Sequence, residues 1–577
     1  MRTAIGSENA IFQARKWSRA PYPLPYSTFG QLYDARMHNP HWAGRPFLSF
    51  YDEAAGIHRT YTYEQFALHT DRLLTVLRDQ IGVRRSNRIA TLLFNHDHTV
   101  MVYCAAWILG AVVVPLNIEE SDAQKRYILE HSEADYVVCW QEDVEAVRAL
   151  CGDLPRRPRV VGLPRDPHRL LDLVGPARRS VTLAVEDGQD SDEALIVYTS
   201  GTTGAPKGVL LTINNLLTDA RAIAEWHGFQ PTDGLMCVLP LHHVNGIVVT
   251  LVTPLYYGGR IVLNRKFHVT TFWPRIQAEA VHCVSVVPTI LEFLLERSPA
   301  SRPALPERFA GLICGAGPLL KETARTFEDR FRCRIRHGYG LSETTCYSCF
   351  LPVELSDEEH RRWLTDYEFP SIGTPLPCND MAILDEQGQP APPCTPGEIG
   401  IRGQTVCSGY LKRPDANAAA FRGGWFRSGD AGWFINDERG RPYFFITGRL
   451  KELIIRGGVN ISPLEIDEVL RQHPAVRFAM AIPFDHRFYG EEIAAYIVLH
   501  EHRTPPSQEE LLRFYRRSLP FAKCPKVIVF GGDVPYTTTG KPKRLALKTR
   551  LADRLAAYRN RRFVDDYREG THEHTYH

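Results

Sequence analysis

The sequence has no large excess of charge of either sign. Its 577 residues include 68 Lys and Arg and 66 Asp and Glu, which leaves a formal net charge of +2. A dedicated nucleic-acid binder carries a strongly basic surface, so we expect no nucleic-acid partner. Hydrophobic residues make up 44% of the chain and charged residues 23%, which is typical of globular proteins and excludes disorder as the main state.

Long apolar runs are also missing. The longest, Val100 to Leu116, is broken by Gly110 and Pro115 and is shorter than the ~20 residues that a membrane-spanning helix needs. This run predicts a buried helix that leads into a strand. The segment from Met1 to Ser27 lacks the apolar core of a secretory signal. We therefore expect a cytoplasmic protein without a transmembrane segment.

Cysteine pairs at metal-ligand spacing are absent. The thirteen cysteines are scattered, and Cys346 and Cys349 have no second pair at the spacing of a zinc site. An odd number of scattered cysteines favours free thiols in a reducing compartment over a disulfide framework or a metal site.

Short runs rich in Val and Ile recur between amphipathic stretches, and they predict an α/β fold with mainly parallel strands covered on both faces. The predicted strands are Ile89 to Phe94, Ala111 to Leu116, Tyr136 to Trp140, Ala194 to Tyr198, Gly234 to Leu239, Arg260 to Leu263, His282 to Val287 and Gly311 to Cys314. From about Asp380 to Phe445 the segments are shorter and richer in Gly and Pro, which predicts a small β-rich subdomain of antiparallel strands. Beyond Lys451, short segments indicate a small α+β domain.

The most informative segment, from Tyr198 to Gly208, is rich in glycine and hydroxyl residues. Its candidate binding residues are Thr199, Ser200, Gly201, Thr202, Thr203, Gly204 and Lys207. Backbone N–H groups and hydroxyls at such positions can approach phosphate oxygens, and Lys207 adds a positive charge. Gly208 stands where the P-loop of kinases and GTPases needs Ser or Thr. The segment therefore predicts a different polyphosphate loop, and the alternative is a flexible solvent loop.

With this loop and the segment from Gly338 to Thr344, the sequence resembles the adenylate-forming superfamily of acyl-CoA synthetases, carrier-protein-loading adenylation domains and beetle-type luciferases. The resemblance implies that Tyr339 stacks on adenine beside Gly340, that Ser342 contacts the α-phosphate and that Glu343 helps to hold Mg²⁺. Ser342 stands where Thr is usual and keeps the hydroxyl.

Further segments match the family in chain order. Gly315, Ala316 and Gly317 resemble the residues that border adenine, and Asp430 resembles the carboxylate that accepts hydrogen bonds from the ribose hydroxyls. Arg449 would lie near the ribose.

The segment from Gly448 to Glu452 resembles the junction between two domains. The resemblance implies a large adenylation domain, residues 1–449, and a small mobile domain, residues 450–577, with the hinge at Lys451.

The small domain carries two further motifs. Gly457 and Gly458 resemble a loop that lets a pantetheine arm pass close to the backbone, since glycine has no side chain to block it. Lys541 resembles the catalytic lysine of the family. A cation at this place makes physical sense, because joining a carboxylate to the α-phosphate of ATP brings two anions together.

The acyl site is less well specified. His243 matches the aromatic position that lies against the bound carboxylate and moves when the thiol tunnel opens. The loosely aligned acyl-site positions are Val286, Pro288, Thr289, Ile313, Cys314, His337 and Leu341. No aspartate stands where amino-acid-activating relatives place one, which argues against an α-amino acid. Aromatic, medium-chain and unusual biosynthetic acids stay open.

The segment from Lys541 to Phe563 is strongly basic. It contains nine Lys or Arg and one acid, Asp553, for a net charge of +8. It could attract the phosphates of coenzyme A or an acidic carrier protein. The alternative is a solvated basic helix with Leu545, Leu551 and Leu555 packed inward. The His-rich end, Thr571 to His577, is expected to be a frayed tail.

Taken together, the resemblance implies an AMP-forming acid–thiol ligase that uses ATP, Mg²⁺ and coenzyme A to convert a carboxylic acid into a thioester. One alternative is a ligase that loads the phosphopantetheine of a carrier protein. A second alternative is a nucleotide-binding regulatory protein without catalysis, which the presence of Lys541 and Glu343 disfavours.

Overall fold

A computed structural model describes residues 2–16, 22–166, 192–199, 205–299, 304–501, 505–537 and 541–563. Five residues of the predicted phosphate loop, Ser200, Gly201, Thr202, Thr203 and Gly204, lie outside the described residues, as does the predicted tail from Thr571 to His577.

The described helices, numbered in chain order, are α1 Arg2–Arg15, α2 Phe29–Met37, α3 Tyr63–Thr75, α4 Asp97–Ile108, α5 Asp122–His131, α6 Val144–Cys151, α7 Ile213–His227, α8 Thr253–Tyr257, α9 Val269–Ala278, α10 Pro288–Arg297, α11 Lys321–Phe331, α12 Asp357–Thr365, α13 Pro414–Ala420, α14 Pro463–Leu470, α15 Gln508–Arg516 and α16 Arg544–Ala556.

The described strands are β1 Pro46–Asp52, β2 Ile57–Thr62, β3 Arg88–Leu92, β4 Val112–Pro115, β5 Tyr136–Trp140, β6 Arg159–Leu163, β7 Glu193–Thr199, β8 Lys207–Thr212, β9 Gly234–Cys237, β10 Arg260–Asn264, β11 Cys283–Val286, β12 Gly311–Cys314, β13 Ile335–Tyr339, β14 Cys349–Phe350, β15 Ser371–Pro375, β16 Asn379–Leu384, β17 Gly397–Gly403, β18 Phe421–Arg422, β19 Trp425–Asn436, β20 Pro442–Arg449, β21 Ile454–Arg456, β22 Val459–Ile461, β23 Val476–His486, β24 Gly490–Leu499 and β25 Val527–Phe530.

One sheet of the large lobe has the strand order β6-β5-β3-β4-β7-β8. Its first five strands are parallel and buried, and β8 returns antiparallel to β7. The apolar run that begins at Val100 forms the end of α4 and then β4, which confirms the predicted helix followed by a strand.

The second sheet joins two kinds of pairing. Strands β13-β12-β11-β9-β10-β1 are parallel, and beyond β13 the order β14-β15-β20-β19-β17-β16 is antiparallel. The predicted α/β fold with an antiparallel region is thus confirmed. Loops after the carboxyl ends of β9, β12 and β13 carry the predicted site residues, as is usual for open α/β sheets.

The small lobe is an α+β unit in which β21 to β25 form one sheet with α14, α15 and α16. The basic segment is helical in α16, and Leu551 and Leu555 are buried as predicted. The third buried leucine is Leu547, whereas Leu545 is half-buried. Leu547, Leu551 and Leu555 are spaced four residues apart and therefore lie on the same face of the helix, whereas Leu545 does not.

None of the thirteen cysteines, all within the described part of the chain, forms a disulfide, and only Cys394 is exposed. No helix in the described part of the chain is long and apolar enough to span a bilayer.

The two lobes contact each other at the start of α11. This helix has Leu320 at its N-cap position, so no side chain of its own caps it. Glu468 of α14 supplies the cap from the small lobe, because its carboxylate accepts the backbone N–H groups of Lys321 at 3.2 Å and Glu322 at 3.1 Å. A carboxylate at this place satisfies unpaired helix donors and interacts favourably with the helix dipole.

Replacing Glu468 by Ala is expected to release this end of α11. Loss of an N-cap costs about 0.5–2 kcal/mol, so amide exchange at Lys321 and Glu322 should become roughly 3- to 30-fold faster. Hydrogen exchange followed by mass spectrometry measures this change. Glu509→Ala is the control, because Glu509 pairs only with Arg513 of its own helix. Unchanged exchange in Glu468→Ala would show that the contact does not hold the lobes together.

Candidate active site

The described residues that flank the predicted phosphate loop belong to the paired strands β7 and β8. Thr199 and Lys207 face each other as register partners at the two ends of the loop. The Lys207 ammonium lies 4.2 Å from the centre of the Tyr410 ring. Burial lowers the pKa of Lys207, and the positive charge of Lys451 adds to this effect. A bound anion would therefore stabilise the charged form of Lys207.

Glu343 lies in the short helical turn after β13 and is buried. Its Oε1 accepts a hydrogen bond of 2.8 Å from the Tyr410 hydroxyl, and its backbone carbonyl accepts the N–H of Cys407 at 2.8 Å. Tyr410 thus contacts both Lys207 and Glu343. Tyr410 lies far along the chain from both residues and belongs to none of the motifs, so no sequence pattern indicated its place in the site.

A second cluster lies where β13 meets the hairpin of β19 and β20. The Tyr339 hydroxyl donates to Asp430 Oδ2 at 2.6 Å, and Arg449 Nε lies 2.8 Å from Asp430 Oδ1. The antiparallel register places Asp430 directly opposite Arg449. Burial raises the pKa of Asp430, although the ion pair with Arg449 opposes this shift. The three residues predicted to bind the nucleoside therefore form one hydrogen-bonded group.

Two of the predicted glycines are required by close packing. A Cβ at Gly340 would lie 1.9 Å from the Cys346 carbonyl oxygen, and a Cβ at Gly315 would lie 2.6 Å from the Tyr347 hydroxyl. Between the glycines of the preceding loop, Ala316 adopts a left-handed conformation with φ +62°. These loops therefore have little freedom to move, and Ser342 follows Gly340 at a fixed position.

Lys541 comes from the small lobe but lies among residues of the large lobe. Its Cγ is 3.9 Å from the place of a Cβ on Gly317. Burial and the nearby charge of Arg449 lower the pKa of Lys541 to about 8, although Asp430 and Glu343 oppose the shift. The predicted catalytic lysine is thus placed beside the predicted nucleotide residues.

His243 lies close enough to Lys541 for the lysine charge to act on it. Burial lowers the pKa of His243 well below its usual value, and the neighbouring His242 and Lys541 act in the same direction. The rings of His242 and His243 lie 4.4 Å apart. His243 is therefore neutral, as suits a side chain that must lie against a carboxylate beside a cation without adding a second charge.

The glycine pair of the small lobe is not part of this cluster. Gly457 and Gly458 form the exposed two-residue turn between β21 and β22, with φ values of +58° and +81°. Gly457 donates its N–H to the Tyr489 carbonyl at 2.8 Å within the same lobe. The structure therefore brings Lys541 to the nucleotide residues and leaves the Gly457-Gly458 turn on the surface.

The loosely aligned acyl positions fall on both faces of the sheet. Val286 and Cys314 pack in the core with Leu312, whereas Ile313 packs in the core on the other face. His337 is buried, and its Nδ1 lies 2.8 Å from the Ser371 carbonyl. Because side chains of a strand alternate between faces, these positions cannot all line one pocket.

Comparison with known proteins agrees with this geometry. The AMP-binding enzyme family matches residues 37–411, and the C-terminal domain of AMP-binding enzymes matches residues 465–541. A sulfoacetate–CoA ligase of Cupriavidus necator is 36% identical over 468 residues, covering 81% of this chain and 88% of the relative.

Two solved structures share the fold over nearly their whole length. ATP-bound MatB from Rhodopseudomonas palustris is 25% identical, with a TM-score of 0.79 over 91% of this chain and 99% of MatB. The o-succinylbenzoate CoA synthetase of Bacillus subtilis, solved with its acyl-adenylate intermediate, is 27% identical, with a TM-score of 0.76 over 91% of this chain and 98% of that enzyme. The resemblance inferred from the motifs is confirmed, and the chain belongs to the AMP-binding enzyme family.

Proposed function

We propose that this protein is an ATP-dependent acid–thiol ligase that works in two steps. In the first, a carboxylate attacks the α-phosphate of ATP, which gives an acyl-adenylate and pyrophosphate. In the second, the thiol of coenzyme A attacks the acyl carbon, which gives a thioester and AMP. The observation that carries the proposal is the position of Lys541, which comes from the small lobe and lies beside Gly317, Asp430 and Arg449.

The first step needs charge compensation more than a nucleophilic side chain. Carboxylate and triphosphate repel each other, and negative charge grows on the phosphorus and the leaving pyrophosphate. Lys541 supplies a positive charge at the reacting end, and Lys207 supplies one at the phosphate loop. Arg449 and Asp430 would hold the ribose, with Tyr339 against the adenine. The work of these residues is positioning and electrostatics.

Glu343 has the properties of a magnesium ligand. Mg²⁺ prefers oxygen ligands and is usually bound by one or two carboxylates together with substrate phosphates. Glu343 is buried, yet among the described residues no Lys or Arg forms an ion pair with it, and its one side-chain partner is the Tyr410 hydroxyl. Lys207, Arg449 and Lys541 lie close enough for the charge of Glu343 to act on them, but none of them forms an ion pair with its oxygens, which fits a carboxylate that binds a metal ion. When bound, the ion neutralises phosphate charge.

The second step requires the small lobe to move. While Lys541 fills the site beside Gly317, the Gly457-Gly458 turn stays at the surface of its lobe. We place the hinge at Lys451, within the short helical turn Leu450–Glu452 that follows β20, and the domain boundary between residues 449 and 450. Rotation about these residues would withdraw Lys541 and bring the glycine turn to the acyl-adenylate.

Coenzyme A is the acceptor that the comparisons support, since the relatives are named as CoA ligases. The basic segment from Lys541 to Phe563 gives little support to the alternative of a carrier-protein partner. Three of its cations form ion pairs inside the small lobe, namely Arg544 with Asp467, Lys548 with Glu491 and Arg550 with Asp533.

Lys541→Ala is expected to abolish ATP–pyrophosphate exchange while leaving ATP binding largely intact, because the other nucleotide contacts come from the large lobe. Exchange with radiolabelled pyrophosphate and a separate ATP-binding titration measure the two effects. Normal exchange in the variant would remove Lys541 from the mechanism.

The charge of Lys541 also sets a pH limit. Because the pKa of Lys541 is lowered to about 8, the charged form is lost as the pH rises through that value. The kcat/KM for ATP, which reports the free enzyme, should be level below pH 8 and fall above it. Lys541→Arg is the matched control, since a guanidinium stays charged in this range. A falling limb that persists unchanged in this variant would assign the titration to another group.

Glu343→Ala is expected to raise the magnesium concentration needed for half-maximal exchange by about tenfold or more, because a direct ligand is lost. Tyr410→Phe should raise it less, by about tenfold at most, since this change removes only a group that orients the ligand. Titration of exchange activity with MgCl₂ measures both. An unaltered magnesium dependence in Glu343→Ala would contradict the assigned role.

Gly458→Val is expected to lower thioester formation from supplied acyl-adenylate and coenzyme A much more than it lowers exchange. A Cβ at Gly458 meets no atom within 4 Å in this structure, so a side chain there interferes only once the turn has moved to the thiol path. Gly440→Val is the matched control, because Gly440 has φ +76°, is exposed and also has open space around it. Equal effects of the two variants would indicate backbone strain alone.

A further inference from the structure

A row of three polar side chains is buried beside the predicted active site. Ser285 of β11 donates its hydroxyl hydrogen to Asn245 Oδ1 at 2.5 Å, and Asn245 Nδ2 donates to the Tyr347 hydroxyl oxygen at 3.3 Å. All three residues are buried. The motifs gave no role to Ser285 or Tyr347, and such a network inside an otherwise apolar core needs an explanation.

The direction of the hydrogen bonds leaves one donor free. Ser285 donates to the amide oxygen of Asn245, so the amide nitrogen is the group that faces Tyr347. The Tyr347 oxygen therefore acts as an acceptor, and its hydroxyl hydrogen is available for a second hydrogen bond. Within the described residues no acceptor for this hydrogen is found. The network thus ends in an oriented, unused donor.

This donor lies close to the reacting centre. The Tyr347 hydroxyl is 2.6 Å from the place of a Cβ on Gly315, and Lys541 touches the corresponding place on Gly317. Gly315 and Gly317 are two positions apart in the chain, so their Cα atoms are at most about 7 Å from each other. Asn245 is two residues from His243, whose imidazole is neighboured by Lys541. The wall formed by Ser285, Asn245 and Tyr347 therefore stands a short distance from the carboxylate position.

Tyr347 is fixed in place from two sides. Its ring stacks on Phe350 with the centres 4.3 Å apart. Its backbone N–H donates to Asp219 Oδ2 of α7 at 3.1 Å. Burial raises the pKa of Asp219 well above its usual value, although the backbone hydrogen bonds from Tyr347 and Cys346 oppose this shift. The end of the pocket is therefore rigid.

A second unused polar atom lies on the same loop as His243. His242 Nε2 is buried and has no hydrogen-bond partner among the described residues. Burial lowers the pKa of His242 to about 4, so the ring is neutral near pH 7 and offers one nitrogen as donor or acceptor. An apolar acyl chain would leave this atom and the Tyr347 donor without partners, which is unfavourable.

We propose that the acid activated at this site is short and carries a hydrogen-bond acceptor, such as a sulfonate, a second carboxylate or a keto oxygen, at the end away from the reacting carboxylate, and that Tyr347 recognises this acceptor. The proposal rests on the proposed ligase function and names its substrate class. The sulfoacetate of the relative from Cupriavidus necator, a two-carbon acid with a terminal sulfonate, belongs to this class.

The first test is ATP–pyrophosphate exchange with the full-length protein and matched acids. Sulfoacetate, malonate and acetoacetate represent the proposed class. Propionate is the short apolar control, and octanoate, benzoate and 2-succinylbenzoate are the large ones. The best short polar acid is expected to exceed propionate in kcat/KM by about 100-fold or more, because a site built around a hydrogen bond strongly rejects a substrate that lacks the partner.

The second test removes the donor. Tyr347→Phe should reduce the ratio of kcat/KM for the best polar acid to that for propionate by about 10- to 100-fold. Tyr257→Phe is the matched control, since Tyr257 is also buried and its hydroxyl donates to the Asp233 carbonyl at 3.1 Å in another part of the lobe. Tyr347→Ala should open the wall and admit hexanoate. Circular dichroism melting checks that each variant is folded.

The outcomes separate the two proposals. Preference for octanoate, benzoate or 2-succinylbenzoate, or equal use of propionate and the polar acids, would overturn the substrate class while leaving the ligase function standing. An unchanged ratio in folded Tyr347→Phe would overturn the role of Tyr347. Absence of exchange with every acid would overturn the ligase function, and the substrate class with it.

Discussion

The placement of one ammonium group is the constraint on which the structure depends. Lys541 belongs to the small lobe but lies beside Gly317 of the large lobe, within reach of the charges of Asp430, Arg449 and Glu343. A buried lysine is costly unless anions are near. The lowered pKa of Lys541 expresses this cost in a chain without ligand. Carboxylate and phosphate groups are anions that would stabilise its charged form, so binding of the substrates favours the position of Lys541.

The contact between the lobes follows from this requirement. If Lys541 withdraws after the first step, as we propose, the contacts between the lobes must break and re-form, and polar contacts are suited to this. Glu468 caps α11, which has no cap of its own, and Arg471 lies 3.1 Å from Glu292. Such contacts exchange readily with water. They orient the small lobe without holding it permanently.

The acyl end of the site obeys the opposite rule. Tyr347, Asn245 and Ser285 are buried in the large lobe and joined by hydrogen bonds, and Tyr347 also stacks on Phe350 and donates its backbone N–H to Asp219. In the proposed mechanism, chemistry at the phosphate end depends on a moving charge, and recognition at the acyl end depends on fixed dipoles. The two ends are only a few residues apart at Gly315 and Gly317, which couples the identity of the acid to the position of the lysine.

The sequence by itself determined the fold class, the family and the chemistry. Short apolar runs and glycine-rich segments are local patterns. The strands and tight loops that they form follow from interactions between residues close in the chain. Only the tertiary structure decided which distant side chains meet. Tyr410 joins Lys207 to Glu343, Glu468 caps a helix of the other lobe, and Tyr347 ends the Ser285–Asn245 network. These partners are separated by tens to hundreds of residues in the chain. The register of the strands in the folded sheet likewise decides that Val286 and Cys314 face one core and Ile313 faces the other.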